Sequence, residues 1–310
     1  MIYFNISKFI LGTILLYYSS NVLIDSSSSL AKKYNISKII IGMTLIAFGT
    51  SLPELLVSIM ASFRGEIDLV VGNVLGSNIA NIGLVMGITG LLYTISCEFK
   101  TIKFDSFFLF ITSISFSCIL YYSKFENLYA ILLLILFSLY MCIFLKSTNV
   151  DNNNVYENHI NQSNLKLSIL ITGSIIGLSL GSHFLIDGAI NIAKYFNISS
   201  MVIGITAVAL GTSLPELATS LNAAKKKEIG LFLGNIFGSN IINIVFVFGL
   251  SLLINTNEPQ INNYDNELLF FISLTFILIV SLFFGKIHRS ISAFFLITYI
   301  YFIAYTFSIL

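Results

Sequence analysis

Charge is what this sequence has least of. Only 10% of its 310 residues are Asp, Glu, Lys or Arg, while 56% are hydrophobic. A soluble domain carries about 25% charged residues. This poverty excludes a water-soluble fold, which would have nowhere to place so much apolar surface, and points to a lipid bilayer. The net charge is only +1, so no nucleic-acid partner is indicated. Cysteine is scarce as well. Cys97, Cys118 and Cys142 match no zinc or redox spacing, and they read as small packing residues rather than a disulfide framework.

What is abundant is long apolar runs. A spanning helix needs about 20 apolar residues. Ten such runs are present, at 8–30, 38–63, 69–94, 104–122, 127–145, 166–194, 200–224, 229–254, 267–285 and 290–309. The runs are too long and continuous for barrel strands. The basic residues set the orientation. Lys32, Lys33, Lys38, Lys100, Lys103, Lys146, Lys166, Lys225, Lys226, Lys227, Lys286 and Arg289 flank one face, and Lys8, Arg64, Lys124 and Lys194 the other, 12 against 4. The lysine-rich face is expected to be cytoplasmic, with both termini outside. The polar stretch 148–164 reads as a cytoplasmic linker between a first five-helix repeat, 1–147, and a second, 165–310.

The halves repeat at an offset of 162 residues. Gly42–Glu54 matches Gly204–Glu216 at 9 of 13 positions, and Gly72–Gly87 matches Gly234–Gly249 at 10 of 16. The repeat also argues against reading the first run as a cleaved signal, since a discarded segment would have no mate in mid-chain. Five spans per half is an odd number, so the second half enters the membrane from the opposite side. The expected fold is therefore an all-α membrane protein with ten transmembrane helices in two inverted five-helix repeats. Secondary transporters use this design, with the substrate site at the midplane between repeats.

Four acids fall well inside these spans: Asp25, Glu54, Asp187 and Glu216, two repeat-related pairs. A carboxylate at mid-bilayer costs about 2.5–3.5 kcal/mol on insertion scales, and two ionised neighbours cost more. A bound cation offsets both. The glutamates lie mid-span, whereas the aspartates lie nearer the faces and read as interfacial. Each glutamate closes the same motif, Gly49-Thr50-Ser51-Leu52-Pro53-Glu54 and Gly211-Thr212-Ser213-Leu214-Pro215-Glu216. Proline lacks an N–H and clashes with the carbonyl four residues back, which frees the Gly49 and Gly211 carbonyls. Carbonyls at Ala47, Thr50, Ala209 and Thr212 are expected to turn off axis beside them. The second block carries Asn73, Ser77, Asn78 and Asn81, repeated as Asn235, Ser239, Asn240 and Asn243. Helical spacing places Asn78 with Asn81, and Asn240 with Asn243, on one face. Asn73 and Asn235 read as interhelical hydrogen-bonding residues. All these donors are oxygen, which suits hard cations such as Ca²⁺ and Na⁺. His183 reads as a hydrogen-bonded packing residue.

The two motif blocks resemble the signature repeats of the sodium/calcium exchanger superfamily of cation/calcium antiporters, over about 42–92 and 204–254. The ten-span, both-ends-out layout is similar to that of its prokaryotic members. The resemblance implies shared Ca²⁺ and Na⁺ carboxylates at Glu54 and Glu216, and backbone oxygens of Thr50 and Thr212 on calcium. It implies a central ligand at Asn81 and sodium-site positions at Ala47, Ser51, Ser77, Ala209, Ser213 and Ser239. The first and sixth helices correspond to the family's sliding pair. At Asn243, the mate of Asn81, some members carry aspartate, so this chain keeps two central carboxylates.

The sequence thus points to an antiporter exchanging Ca²⁺ for Na⁺ by alternating access, in a prokaryotic cytoplasmic membrane. H⁺/Ca²⁺ antiport is the alternative, and a cation channel a more distant one. No enzyme, no cofactor and no obligatory protein partner is implied; the partners are the two ions and the bilayer. No phosphate-binding loop is present, so uphill movement draws on another ion's gradient.

Overall fold

A computed structural model describes residues 2–122, 126–146, 163–195, 211–255 and 264–306. These residues are helical apart from connecting turns and one two-stranded ladder. The helices are α1 (Ile2–Tyr34), α2 in two pieces (Lys38–Thr50 and Leu52–Phe63), α3 (Ile67–Leu92), α4 (Phe99–Tyr121) and α5 (Asn127–Lys146). The second half gives α6 (Asn164–Tyr195), α7 (described over Leu214–Lys225), α8 (Ile229–Ile254), α9 (Asp265–Phe283) and α10 (Arg289–Thr306). Most of the linker, 148–162, and the first part of α7, 200–210, lie outside the described residues.

α3 and α8 form the centre. About 78% and 83% of their apolar windows are buried, against 33% for both α1 and α6. α1 and α6 are 33 and 32 residues long, about 50 Å at 1.5 Å per residue. That exceeds the ~30 Å hydrocarbon core, so both tilt or protrude. α1 extends past its apolar run at both ends, and Ser26, Ser27, Ser28 and Ala31 toward its second end are buried against the rest of the protein. α1 and α6 pack against each other backbone to backbone: a Cβ on Gly12 would stand 2.4 Å from the Leu185 nitrogen. Their other faces carry Tyr3, Phe4, Ile10, Tyr18, Ile169 and Ile176 exposed, as lipid contact requires.

The contacts between chain ends follow the alternation that ten crossings demand. On the lysine-rich face, Ile95–Ser96 after α3 pairs antiparallel with Lys286–Ile287 before α10. On that face Lys38 meets Glu228 at 2.6 Å, and Lys226 meets Asp25 at 2.8 Å. On the opposite face Lys8 meets Asp187 at 2.5 Å, Tyr264 bonds Asp68, and Asn266 reaches Tyr305. In each pair both partners sit at ends of the same parity.

The repeat also reappears in the backbone. α2 and α7 end in the same turn, with Gly65 at φ 75° and Lys227 at φ 60°. The amide after each turn returns to a helix carbonyl, Glu66 to Ala61 and Glu228 to Ala223. Among the described residues the three cysteines are unpaired. Burial, and then the Glu98 charge, push the Cys97 thiol up from its ordinary value, which leaves it mostly protonated at neutral pH.

Candidate functional site

The site is built where α2 breaks and where the described part of α7 begins. In α2 the axis bends by 49° at Ser51. Ser51 and Ser213 share one conformation, φ −85°, ψ 7° and φ −89°, ψ 5°, each followed by Leu-Pro-Glu opening a new helix. Proline is tolerated there because the first turn of a helix has no use for its N–H. Glu54 therefore falls in the first turn of the second piece of α2, and Glu216 in the first turn of Leu214–Lys225, where backbone N–H groups favour a carboxylate.

α8 lies hard against the first piece of α2. A Cβ on Gly234 would stand 2.4 Å from the Ile39 carbonyl oxygen and 2.9 Å from Gly42 Cα, so glycine is required for this approach. The contact brings the second asparagine block beside the first broken helix. Asn235 accepts from Thr50 Oγ1 at 3.2 Å and donates to Thr219 and Ser220 at 3.1 and 3.2 Å. Its mate Asn73 donates to the Glu54 carbonyl and to Ser58. Both asparagines thus do the interhelical bonding expected of them.

The two repeats brace each other's carboxylates. Ser51 Oγ of α2 donates to Glu216 Oε1 at 3.3 Å, and Thr212 hydrogen-bonds Glu54. Ser77 Oγ of α3 lies 3.4 Å from Thr212 Oγ1. Glu54, Glu216, Thr50, Ser51, Ser77, Asn81, Ser213, Ser239, Asn243 and Ala47 are all buried, and Thr212 is partly so. Ala209 lies outside the described residues.

Many polar atoms here have no hydrogen-bond partner among the described residues: Glu54 Oε2, Glu216 Oε2, Ser213 Oγ, Ser239 Oγ, and both side-chain polar atoms of Asn81 and of Asn243. Folded proteins pair the large majority of such groups. Asn81 opens a π-helical stretch, Asn81–Met86, and Asn243 lies in another, Ile242–Phe248. Such widened turns re-aim side chains and recur at functional sites. Asn78 and Asn240 behave differently. Each donates back to its own helix, to Val74 and Ile236, keeping only Oδ1 unpaired. Among the described residues no cluster of three or more His, Cys, Asp or Glu gathers. Beyond the two carboxylates, the oxygens gathered here belong to hydroxyl, amide and carbonyl groups.

Several expectations change. The Ala47 carbonyl is not turned off axis: it keeps its helical bond from the Ser51 amide at 3.0 Å and takes the Thr50 hydroxyl at 3.3 Å. The freed Gly211 carbonyl accepts from Ser182 Oγ of α6 at 2.6 Å, which ties a broken helix to an outer one. Asp25 and Asp187 are interfacial, as expected, with side chains 70% and 35% exposed, and each is ion-paired. His183 is exposed rather than bonded inside the protein. A fifth intramembrane acid, Asp105, is buried in α4 and accepts from Tyr140 of α5 at 3.0 Å. It escaped notice because α4 starts at Phe99, five residues before its apolar run, and nothing local marks Tyr140 as its partner. Pro215 announces the free carbonyl at Gly211, but nothing in the sequence marks Ser182, on another helix, as the hydroxyl that meets it.

Residues 4–146 and 166–308 match the family described as Sodium/calcium exchanger protein. The chain belongs to the sodium/calcium exchanger family. It is 36% identical to the putative antiporter CaxA of Alkalimonas amylolytica, over 90% of each chain. It is 30% identical to the sodium/calcium exchanger MaX1 of Methanosarcina acetivorans, over 81% of this chain and 83% of that one. Among solved structures it resembles the sodium-calcium exchanger NCX_Mj soaked with 10 mM Na⁺ and zero Ca²⁺, at TM-score 0.85 and 33% identity, covering 98% of this chain and 99% of that one. It is an integral membrane protein of a cation antiporter family, with the all-helical, two-repeat fold expected from its motifs.

Proposed function

We propose that this member exchanges Ca²⁺ for Na⁺, binding the ions between Glu54 and Glu216. One observation carries the reading: two buried carboxylates from opposite repeats each keep one oxygen unpartnered among the described residues, beside two buried asparagines with no partner there at all. Leaving buried polar groups unsatisfied is costly, and a desolvated divalent cation supplies what the carboxylate, hydroxyl and amide oxygens among them lack. In this reading Thr50 and Thr212 add backbone oxygens, and Asn81 and Asn243 add amide oxygens. Sodium is held at the flanking positions Ala47, Ser51, Ser77, Ala209, Ser213 and Ser239. The lysine-rich face is cytoplasmic, both termini are outside, and the membrane is a prokaryotic cytoplasmic one. Residues 148–164 join the two repeats.

The test is calcium flux into proteoliposomes, with a sodium gradient and a proton gradient imposed separately. Sodium-driven accumulation is expected, and a proton gradient alone is expected to drive none. Accumulation driven by protons alone would assign H⁺/Ca²⁺ antiport. Flux that ignores both gradients and follows calcium alone would assign a channel.

A further inference from the structure

The two faces of this molecule treat the repeat-related aspartates differently. On the lysine-rich face α1 is tied to α7 and to the α7–α8 turn. Asn222 donates to Ser20 Oγ at 2.5 Å, Lys226 pairs with Asp25 and bonds the Asn21 carbonyl, and Ser28 bonds Glu228. The 162-residue offset says what the mirror-image ties on the opposite face would be. Asp187 is the mate of Asp25, and Arg64 is the mate of Lys226. Both are present and of the right charge. Both ties between uncharged side chains or from a serine have lost their chemistry, since Asn222 corresponds to Met60 and Ser28 to Ile190, while the tie from Lys226 to a backbone carbonyl would come from Arg64 as well. One ion pair is what the opposite face can reproduce, Asp187 with Arg64.

That pair is not made here. Asp187 is held by Lys8 at 2.5 Å, within the α1–α6 pair. Arg64 is exposed and makes no ion pair among the described residues. Lys8 corresponds to Leu170, so Asp25 faces no such competitor. In an inverted-repeat carrier the two facing states arise when the halves exchange conformations. The face now tied is the closed one, and closure of the other face requires α6 to meet the end of α2 as α1 now meets the end of α7.

We propose that Asp187 changes partner during the transport cycle, held by Lys8 while the outer face is open and by Arg64 when it closes. Lys8 and Arg64 thus compete for one carboxylate and set the balance between facing states. This rests on the carrier reading above, but it can be measured without transport. The pairs are partly exposed, and exposed pairs are weak, so the effect is a biased equilibrium rather than a lock.

The test is the distance between nitroxides at Phe63→Cys, at the end of α2, and Lys194→Cys, at the end of α6. The protein is in lipid nanodiscs at one fixed ion composition, with Cys97, Cys118 and Cys142 replaced by alanine. Lys8→Met is expected to raise the ratio of the short-distance to the long-distance population about two- to five-fold, the range exposed pairs allow. Lys8→Arg should leave it at the parent value, and Arg64→Met should lower it. In the Arg64→Met background, Lys8→Met should change nothing, because Lys8 acts only by withholding Asp187 from Arg64. An unchanged ratio in Lys8→Met, or the same increase with Arg64 absent, would overturn the proposal. Failure of sodium-driven calcium flux in the parent would count against the carrier reading instead, and would leave this distance measurement standing.

Discussion

Glu54 and Glu216 are each bonded on one side by the opposite repeat and open on the other, so neither can be spared. Removing one partner of a buried charged contact costs about 2 kcal/mol or more, and 1.4 kcal/mol is tenfold. Glu54→Ala and Glu216→Ala should each weaken calcium binding at least about thirty-fold and abolish exchange in a folded protein. Calcium titration calorimetry and flux measure the two effects, and near-parent exchange by either variant would remove the carboxylates from the site. At Asn243 the buried amide has no partner among the described residues and no proton to exchange. Asn243→Asp would place a third acid beside two others, and like charges that close share a proton. Its exchange should vary more steeply with pH across the neutral range than the parent's, and superimposable profiles would uncouple residue 243 from the glutamates. The buried acids and hydroxyls that the fold brings together were legible from a motif written twice. The spent carbonyls were not, because Ala47 and Gly211 owe their partners to local geometry and to Ser182 on a distant helix.

Elements were legible where hydropathy decides them and obscure where packing does. Apolar runs located the helices, but not the serines that turn inward along them, Ser26, Ser27 and Ser28 of α1 and Ser174 and Ser182 of α6. The π-helical stretches at Asn81–Met86 and Ile242–Phe248 leave no mark in hydropathy at all. The α2–α8 contact is the most demanding in the core. Gly234→Ala would drive a methyl into the Ile39 carbonyl, and overpacking of this kind costs about 1–3 kcal/mol. A lower unfolding temperature in detergent is the expected result, and a parent-like value would mean that the helices part without strain. Ser182→Ala strips the Gly211 carbonyl of its hydroxyl partner. A lost bond to a buried group is worth about 1–3 kcal/mol, so it too should unfold earlier, whereas Ser179→Ala, which loses only a bond within its own helix, should not.

At the scale of the whole molecule, the proposed exchange moves net charge if more than two sodium ions cross per calcium, as the family resemblance implies. Each elementary charge is worth about 2.3 kcal/mol per 100 mV, so a potassium–valinomycin potential should shift the flux. Indifference to potential would mean neutral exchange. The repeats complete each other's core, since α2 of one packs on α8 of the other and each braces the other's glutamate. Their crossing number also bears on ancestry. A forebear made of a single half would have had to enter the bilayer both ways up in equal numbers and pair with its own upside-down copy. Its basic residues could then have favoured neither face. Here each half carries six Lys or Arg on the same face, against three in the first half and one in the second on the other. Because the halves are inverted, that agreement required matching positions to diverge: Lys225, Lys226 and Lys227 stand where the first half has Phe63, Arg64 and Gly65. One chain that carries both halves needs no such ambivalence, and its lysines are free to favour a single face.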